Sequence, residues 1–281
     1  MLGIVSELYT MMPALMLKTF VVVLLGTALM TATVLNGHFV GAKVELGVEH
    51  YAERMHPIVA EIFPSWLTMP LNTIINIGYV IVGAAWCAYT SLALLGNQIG
   101  KNDAKMFYIF NLASCCYGPI QMLRILTHMH GFGVLDQWYT LPFFMWVFLW
   151  GVHLVRGWSA FWNILWVLVS VLSYSFVLIN PIGFEICLGI HVMLAVLGAL
   201  LAWNSNPQAY CLKYFILATL SCCGFVILKL LDLELPEYAS IFSHISGHFL
   251  SKICDILQIH FVNCFFLEVT LASCAKKRKK D

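Results

Sequence analysis

Eight stretches of roughly twenty mostly apolar residues follow one another along this chain, at 17–35, 67–90, 106–127, 137–155, 160–179, 182–203, 212–231 and 246–270. Each is long enough to cross a bilayer as a helix, since about 20 residues at a rise of about 1.5 Å span the hydrocarbon core. The residue-by-residue alternation that a lipid-facing barrel requires is absent. Of the 281 residues, 61% are hydrophobic and only 10% charged, against about 25% charged in soluble domains. A chain this apolar could not keep an aqueous surface wet. The expected fold is an all-α multi-pass membrane protein with about eight transmembrane helices in a single membrane domain, residues 1–281. Nothing in the sequence combines a basic stripe with interleaved aromatics, so nucleic acid is not an expected partner. The first residues also lack the basic region of a cleavable signal peptide.

The connectors between the stretches are short, except for 36–66, which carries Glu45, Glu49, Glu53 and Glu61. Lysine and arginine set the expected orientation. With both termini cytosolic, that side receives Lys101, Lys105, Arg156, Lys213 and the basic tail 275–281, while the other keeps Lys43 and Arg54 among acidic residues that include "DLELPE" at 232–237. This asymmetry favours eight spans over seven. Lys277 and Lys279 have the spacing of a di-lysine retrieval signal, which places the chain in internal secretory-pathway membranes, the endoplasmic reticulum or Golgi. A basic anchor for anionic headgroups is compatible with that address. The ten cysteines fall inside or at the ends of apolar stretches with no C-x-x-C pair, and read as small packing residues.

Ionisable groups at bilayer depth cost roughly 2.5–3.5 kcal/mol or more each, so they face the bundle interior and find partners. Asn72, Asn76 and Tyr79 recur at helical spacing in "MPLNTIINIGY", and Gln121, Arg124 and His128 in "YGPIQMLRILTHMH". Asp136 stands at the mouth of "VLDQWYTLP". In "GHFLSKICDILQIH", residues His248, Ser251, Lys252, Asp255 and Gln258 fall within an arc of about 120° on a helical wheel, opposite Leu250, Ile253, Leu257 and Phe261. Asn72, Asn76, Gln121, Arg124, Asp136, His248, Lys252 and Asp255 are therefore the candidate polar pocket. Purely structural pairings are equally open: Lys252 with Asp255 along one helix, Arg124 with Asp136, and asparagines bridging helices. Glu185 and His191 lie about 120° apart on their helix and form no ligand pair. His191 reads as a core histidine.

The runs "LGVEHYAE", "MPLNTIIN", "YGPIQMLR", "VLDQWYTLP", "NPIGFE", "LGIHV" and "GHFLSKICDILQIHF" resemble the transmembrane protein 187 family over nearly the whole chain, in order. That resemblance implies a multi-pass membrane protein and assigns no reaction. More weakly, residues 67–270 resemble the seven-helix CREST superfamily, which includes alkaline ceramidases and the progestin and adiponectin receptors. "LNTIIN", "VLDQWYTLP" and "GHFLSK" are similar to its first-helix, aspartate and last-helix motifs. On this alignment 17–35 is an extra N-terminal helix before a seven-helix core.

The CREST resemblance implies a zinc site of three histidines with a serine and an aspartate. Asp136 matches the aspartate and His248 the first histidine of the last-helix pair, but Lys252 occupies the second position and no serine equivalent can be assigned. A protonated lysine cannot ligate zinc. The zinc set is therefore expected to be incomplete, no cofactor is favoured, and Asp136 facing Lys252 is expected as a substitute ion pair. An alternative register assembles His128, Asp136, His244 and His248 around zinc, with water activation by the metal. The favoured function is a non-catalytic or non-canonical intramembrane pocket for membrane lipid. The alternatives are a metal-dependent lipid amide or ester hydrolase, and a structural or trafficking protein of internal membranes.

Overall fold

The computed structural model describes residues 2–55, 61, 63–64, 66–207 and 209–278, with the backbone alone for 2–13, 209 and 277. Its long helices are α1 (Leu2–Leu35), α3 (Ile77–Leu95), α4 (Lys101–Thr127), α5 (His130–Arg156), α6 (Ala160–Ser173), α7 (Gly183–Ser205), α8 (Ala209–Leu230) and α10 (Gly247–Arg278). Two short ones, α2 (Pro70–Ile74) and α9 (Leu235–Tyr238), introduce α3 and α10. No strand occurs among the described residues. The all-α multi-pass reading holds. The last two lysines of the basic tail and Asp281 lie outside the described residues, as does most of the retrieval spacing built on Lys277 and Lys279.

Seven helical segments are long and apolar enough to cross a membrane, among them Ala14–Leu35, Pro70–Leu95 and Gly247–Lys276. The helix that misses the criterion is α4, although its 27 residues give it the length to span. Its polarity points inward. Asn111 exchanges side-chain hydrogen bonds with Asn263 of α10 at 2.7 and 3.0 Å, and the Ser114 hydroxyl donates to the Tyr79 carbonyl at 3.1 Å. Buried amides of this kind bridge helices where water cannot compete. The surrounding helices supply the lipid-facing apolar surface, so α4 is free to carry polar side chains at the centre.

Packing is close where glycine removes the side chain. A Cβ added to Gly151 of α5 would stand 1.9 Å from the Gly198 carbonyl oxygen of α7, and one added to Gly198 would stand 2.5 Å from the Phe148 Cα. The two backbones therefore touch, and α7 lies along α5. Gly83 and Gly118 serve the α3–α4 seam in the same way, each facing a backbone carbonyl at 2.5 and 2.6 Å. The aromatic core fills the half of the bundle near the α5 C-terminus. There Trp150 stacks on Phe266 at 4.4 Å and meets Phe107 edge-on at 4.4 Å. The cysteines are unbridged, with Cys87, Cys187 and Cys211 buried as packing residues. His191 is the core histidine expected, between the Cys187 carbonyl at 2.7 Å and the Ser170 hydroxyl at 2.8 Å.

The opposite end of the bundle is closed by a strap, residues 36–54. After two left-handed residues, Gly37 (φ 83°) and Phe39 (φ 67°), the Phe39 ring packs edge-on against Trp138 and Tyr174 at 5.0 and 5.1 Å. The strap then crosses the start of α5, where His130 donates to the Ala42 carbonyl at 2.8 Å and Gln137 to that of Lys43 at 3.2 Å. It ends buried at Tyr51, Ala52 and Glu53. Two carboxylates fasten it. Glu53 accepts the Leu71 and Asn72 amides at 2.8 and 2.9 Å, and Asp232 accepts the Ala52 and His248 amides at 2.9 and 2.7 Å. Each thereby satisfies N–H groups at a helix N-terminus, α2 and α10 respectively, that have no partner within the helix.

Candidate functional site

The polar residues at the strap end are held by four different helices. From α4, one turn separates Tyr117, Gln121 and Arg124, so all three face α5, where Asp136 sits in the second turn. Asp136 is the hub. Arg124 forms an ion pair with it, Gln121 donates to it, and the Tyr117 hydroxyl donates to it at 2.8 Å. The other Arg124 Nη donates to the Glu45 carbonyl of the strap at 3.0 Å. Both members of this pair are buried, at 7% and 5% exposure. A buried pair of this kind persists because its remaining donors and acceptors are also satisfied.

α10 contributes the polar stripe, and the structure turns it inward as its spacing predicts: His248, Ser251 and Lys252 are buried while Leu257 is exposed. Asp255 accepts a hydrogen bond from the Tyr79 hydroxyl at 2.5 Å. Lys252 is 2% exposed, yet it makes no hydrogen bond or ion pair among the described residues. Its ammonium is surrounded by ring faces, 5.9 Å from the centroids of Tyr79 and Tyr117 and 5.8 Å from Phe225.

These groups border a cavity of about 380 Å³ between α5, α7, α8 and α10, with α4 at its back. Its charged wall, near the strap, is formed by Arg124, Asp136, Lys229, Lys252 and Asp255. Deeper in the bundle the wall is Phe110, Phe143, Phe144, Val147 and Val262. On the outside, Val226 and Leu230 of α8 also line it, although they are 45% and 75% exposed on the molecular surface. The cavity therefore opens sideways beside α8. That opening exists because α7 packs along α5 and α8 along α10, so the two consecutive helices diverge from their connection at 206–208.

The sequence-derived pocket is only partly assembled. Arg124, Asp136, Lys252 and Asp255 line the cavity, and Gln121 supports Asp136 from behind. Asn72, Asn76 and His248 do not line it. Asn76 donates to the Asn72 carbonyl at 2.7 Å, inside the turn that joins α2 to α3, and Asn72 accepts from Ser246 at 3.3 Å. The His248 ring packs edge-on against Tyr51 at 4.7 Å. Asp136 pairs with Arg124 rather than with Lys252, which corrects the substitute ion pair expected from the sequence. The aspartate lies a short reach across from α4, and the two Nη groups of the guanidinium let Arg124 bond Asp136 and the Glu45 carbonyl at once. Nor does Lys252 pair with Asp255, whose partner is Tyr79.

Each residue of the alternative zinc set is engaged elsewhere. His128 caps the C-terminus of α4 in a left-handed conformation, His244 donates to the Arg54 carbonyl at 3.0 Å, His248 faces Tyr51, and Asp136 belongs to Arg124. Among the described residues no three His, Cys, Asp or Glu side chains converge as a metal-ligand set. Lys229 is the cavity residue that patterning passes over. It stands at the last turn of an apolar helix, where a lysine reads as snorkelling toward the interface. The one available signal was a charge within reach of the stripe on α10.

The TMEM187 family profile matches residues 19–267 of this chain. It is a member of the TMEM187 protein family. Among its relatives, the human "Transmembrane protein 187" is 38% identical over 248 residues, covering 88% of this chain and 91% of that protein. The bovine "Transmembrane protein 187" is 38% identical over 243 residues, covering 86% and 93%. No solved structure matches the chain significantly. The family match thus extends from α1 through the cavity wall to Leu267, well past the α10 stripe.

Proposed function

We propose that this protein binds a membrane amphiphile non-catalytically, in an intramembrane cavity that the ligand enters from the bilayer between α7 and α8. The observation that carries this reading is the shape and lining of the cavity. Its volume, about 380 Å³, lies within the ~300–1,000 Å³ usual for small-molecule sites. One end is charged, the other is aromatic and aliphatic, and its side wall includes surface-exposed Val226 and Leu230. A polar head near the strap with a chain toward the bilayer centre matches that gradient. The arrangement of lysine and arginine favours an orientation with both termini in the cytosol and the strap on the opposite side. The lysines near the end of the chain favour the endoplasmic reticulum or Golgi.

Photo-crosslinking tests the proposal. A diazirine-bearing lipid probe in nanodiscs is expected to label cavity residues such as Phe143, Val226 or Val262. Val226→Trp should block the opening and reduce that labelling at least fivefold. Leu220→Trp, on an exposed part of the same helix away from the cavity, should leave it unchanged. Labelling confined to outward-facing residues, insensitive to Val226→Trp, would overturn the reading.

A further inference from the structure

The charges on the cavity wall do not cancel. Arg124 is neutralised by Asp136. Two lysines then remain against one carboxylate, Asp255, which already accepts a hydrogen bond from Tyr79. Lys43, Glu45 and Glu185 also border the cavity, but all three are exposed at its rim, where solvent and headgroups screen them. Lys252 and Lys229 lie 5.8 and 6.0 Å from the centroid of the same Phe225 ring. Both ammonium groups therefore lie within 6.0 Å of the centre of one ring, at the polar end of the cavity. Neither makes a hydrogen bond or ion pair among the described residues.

A buried lysine with a second, half-buried one near the same ring is costly to hold. Removing either would cost the fold no salt bridge. An arrangement that is unfavourable when empty, and that becomes favourable when an anion enters the cavity both lysines line, points to a binding site. Resting on the cavity reading above, we infer that the occupant's head carries a single negative charge, a carboxylate or a phosphodiester, with Lys252 and Lys229 as its counter-ions. Lys252 is the inner one, aimed into the cavity from α10. Lys229, half-buried at the end of α8, stands beside the opening through which the head would pass. Asp255 and the Asp136–Arg124 pair discriminate against heads bearing more negative charge, since each further charge would face a carboxylate. A neutral head leaves the excess positive charge of the wall uncompensated.

The test is competition against the diazirine probe in nanodiscs, using molecules of one chain length and different heads. Oleate and oleoyl lysophosphatidylglycerol, each with one negative charge, are expected to displace the probe at least tenfold more effectively than oleyl alcohol or monooleoylglycerol. Dimethyl phosphate and octanoate should displace it weakly, which identifies a membrane lipid rather than a soluble anion as the source of the charge. Lys252→Met, in which an apolar side chain of similar length replaces an ammonium without an ion pair, should retain labelling and lose most of the preference for anions. Lys229→Met provides the same comparison at a partly exposed position. Equal competition by anionic and neutral heads in the wild type, with labelling intact, overturns this inference while leaving the cavity reading in place. Loss of cavity labelling in the wild type itself overturns both.

Discussion

Asp136 shows how much one side chain organises. Three donors from α4, Tyr117, Gln121 and Arg124, converge on its carboxylate, and Arg124 extends the network to the strap through Glu45. Breaking one half of a buried pair leaves an uncompensated charge and costs about 3–5 kcal/mol, whereas replacing both halves with apolar side chains of similar volume is often nearly neutral. Arg124→Met and Asp136→Leu should therefore each lower the thermal midpoint in detergent sharply, and the double variant should recover most of the loss. A thermal-shift series in which the two single losses simply add would mean that the pair is not coupled as drawn.

At the scale of whole elements, the helices and the inward stripe on α10 were legible because they depend on local spacing. The lipid-facing apolar surface and the pitch of one helix together dictate where Lys252 and Asp255 must point. What was not legible depends on contacts between elements. Asn72 and Asn76 have the same helical spacing as the stripe, but their helix breaks at that point, where Asn76 bonds the turn's own backbone and Asn72 meets Ser246, so periodicity alone could not separate pocket from packing. The choice of Arg124 over Lys252 as partner for Asp136 follows from the placement of α4 against α5. The cavity itself exists because α7 follows α5, and the glycines that hold them are ordinary letters in an apolar run. Gly198→Leu would force the α5 and α7 backbones apart where a Cβ already falls 2.5 Å from the Phe148 Cα. Overpacking of this kind costs about 1–3 kcal/mol and occasionally more. The expected result is a lower thermal midpoint and altered access to the cavity, whereas Gly189→Leu, with nothing within 4 Å, should change neither. Cysteine accessibility at Cys222, on the cavity wall, checks the second expectation.

For the whole molecule, the strap joins segments far apart in the chain: Ala52 and Asp232, linked at 2.9 Å, are separated by 180 positions. Both fastening carboxylates are pushed above their usual range by burial. For Glu53 the amides of Asn72 and Leu71 oppose that push and nearby Asp232 adds to it. For Asp232 the amides of Ala52, His248 and Gly247 and the charge of Arg54 oppose it. A carboxyl with a raised value in the folded state binds its proton more tightly there than in the unfolded chain. Its contribution to stability is complete below the ordinary values of about 3.9 and 4.3, and is lost as the pH rises through the folded-state values. Acidification from neutral pH toward those ordinary values should therefore tighten the strap rather than loosen it. The double variant Glu53→Gln/Asp232→Asn keeps an acceptor oxygen at each site and removes both titrations. Its midpoint relative to wild type should become more favourable as the pH rises from 5 to 7.5, because only the wild type pays the growing cost of burying two charges. Other titrating groups cancel in that difference. Hydrogen exchange supplies the location: in wild type the first turns of α2 and α10 should exchange more slowly at pH 5 than expected from their rates at pH 7.5, after correction for intrinsic chemistry. A difference in midpoint that instead shrinks with rising pH would mean that the amide groups outweigh burial, and that the strap is fastened by charged rather than protonated carboxyls.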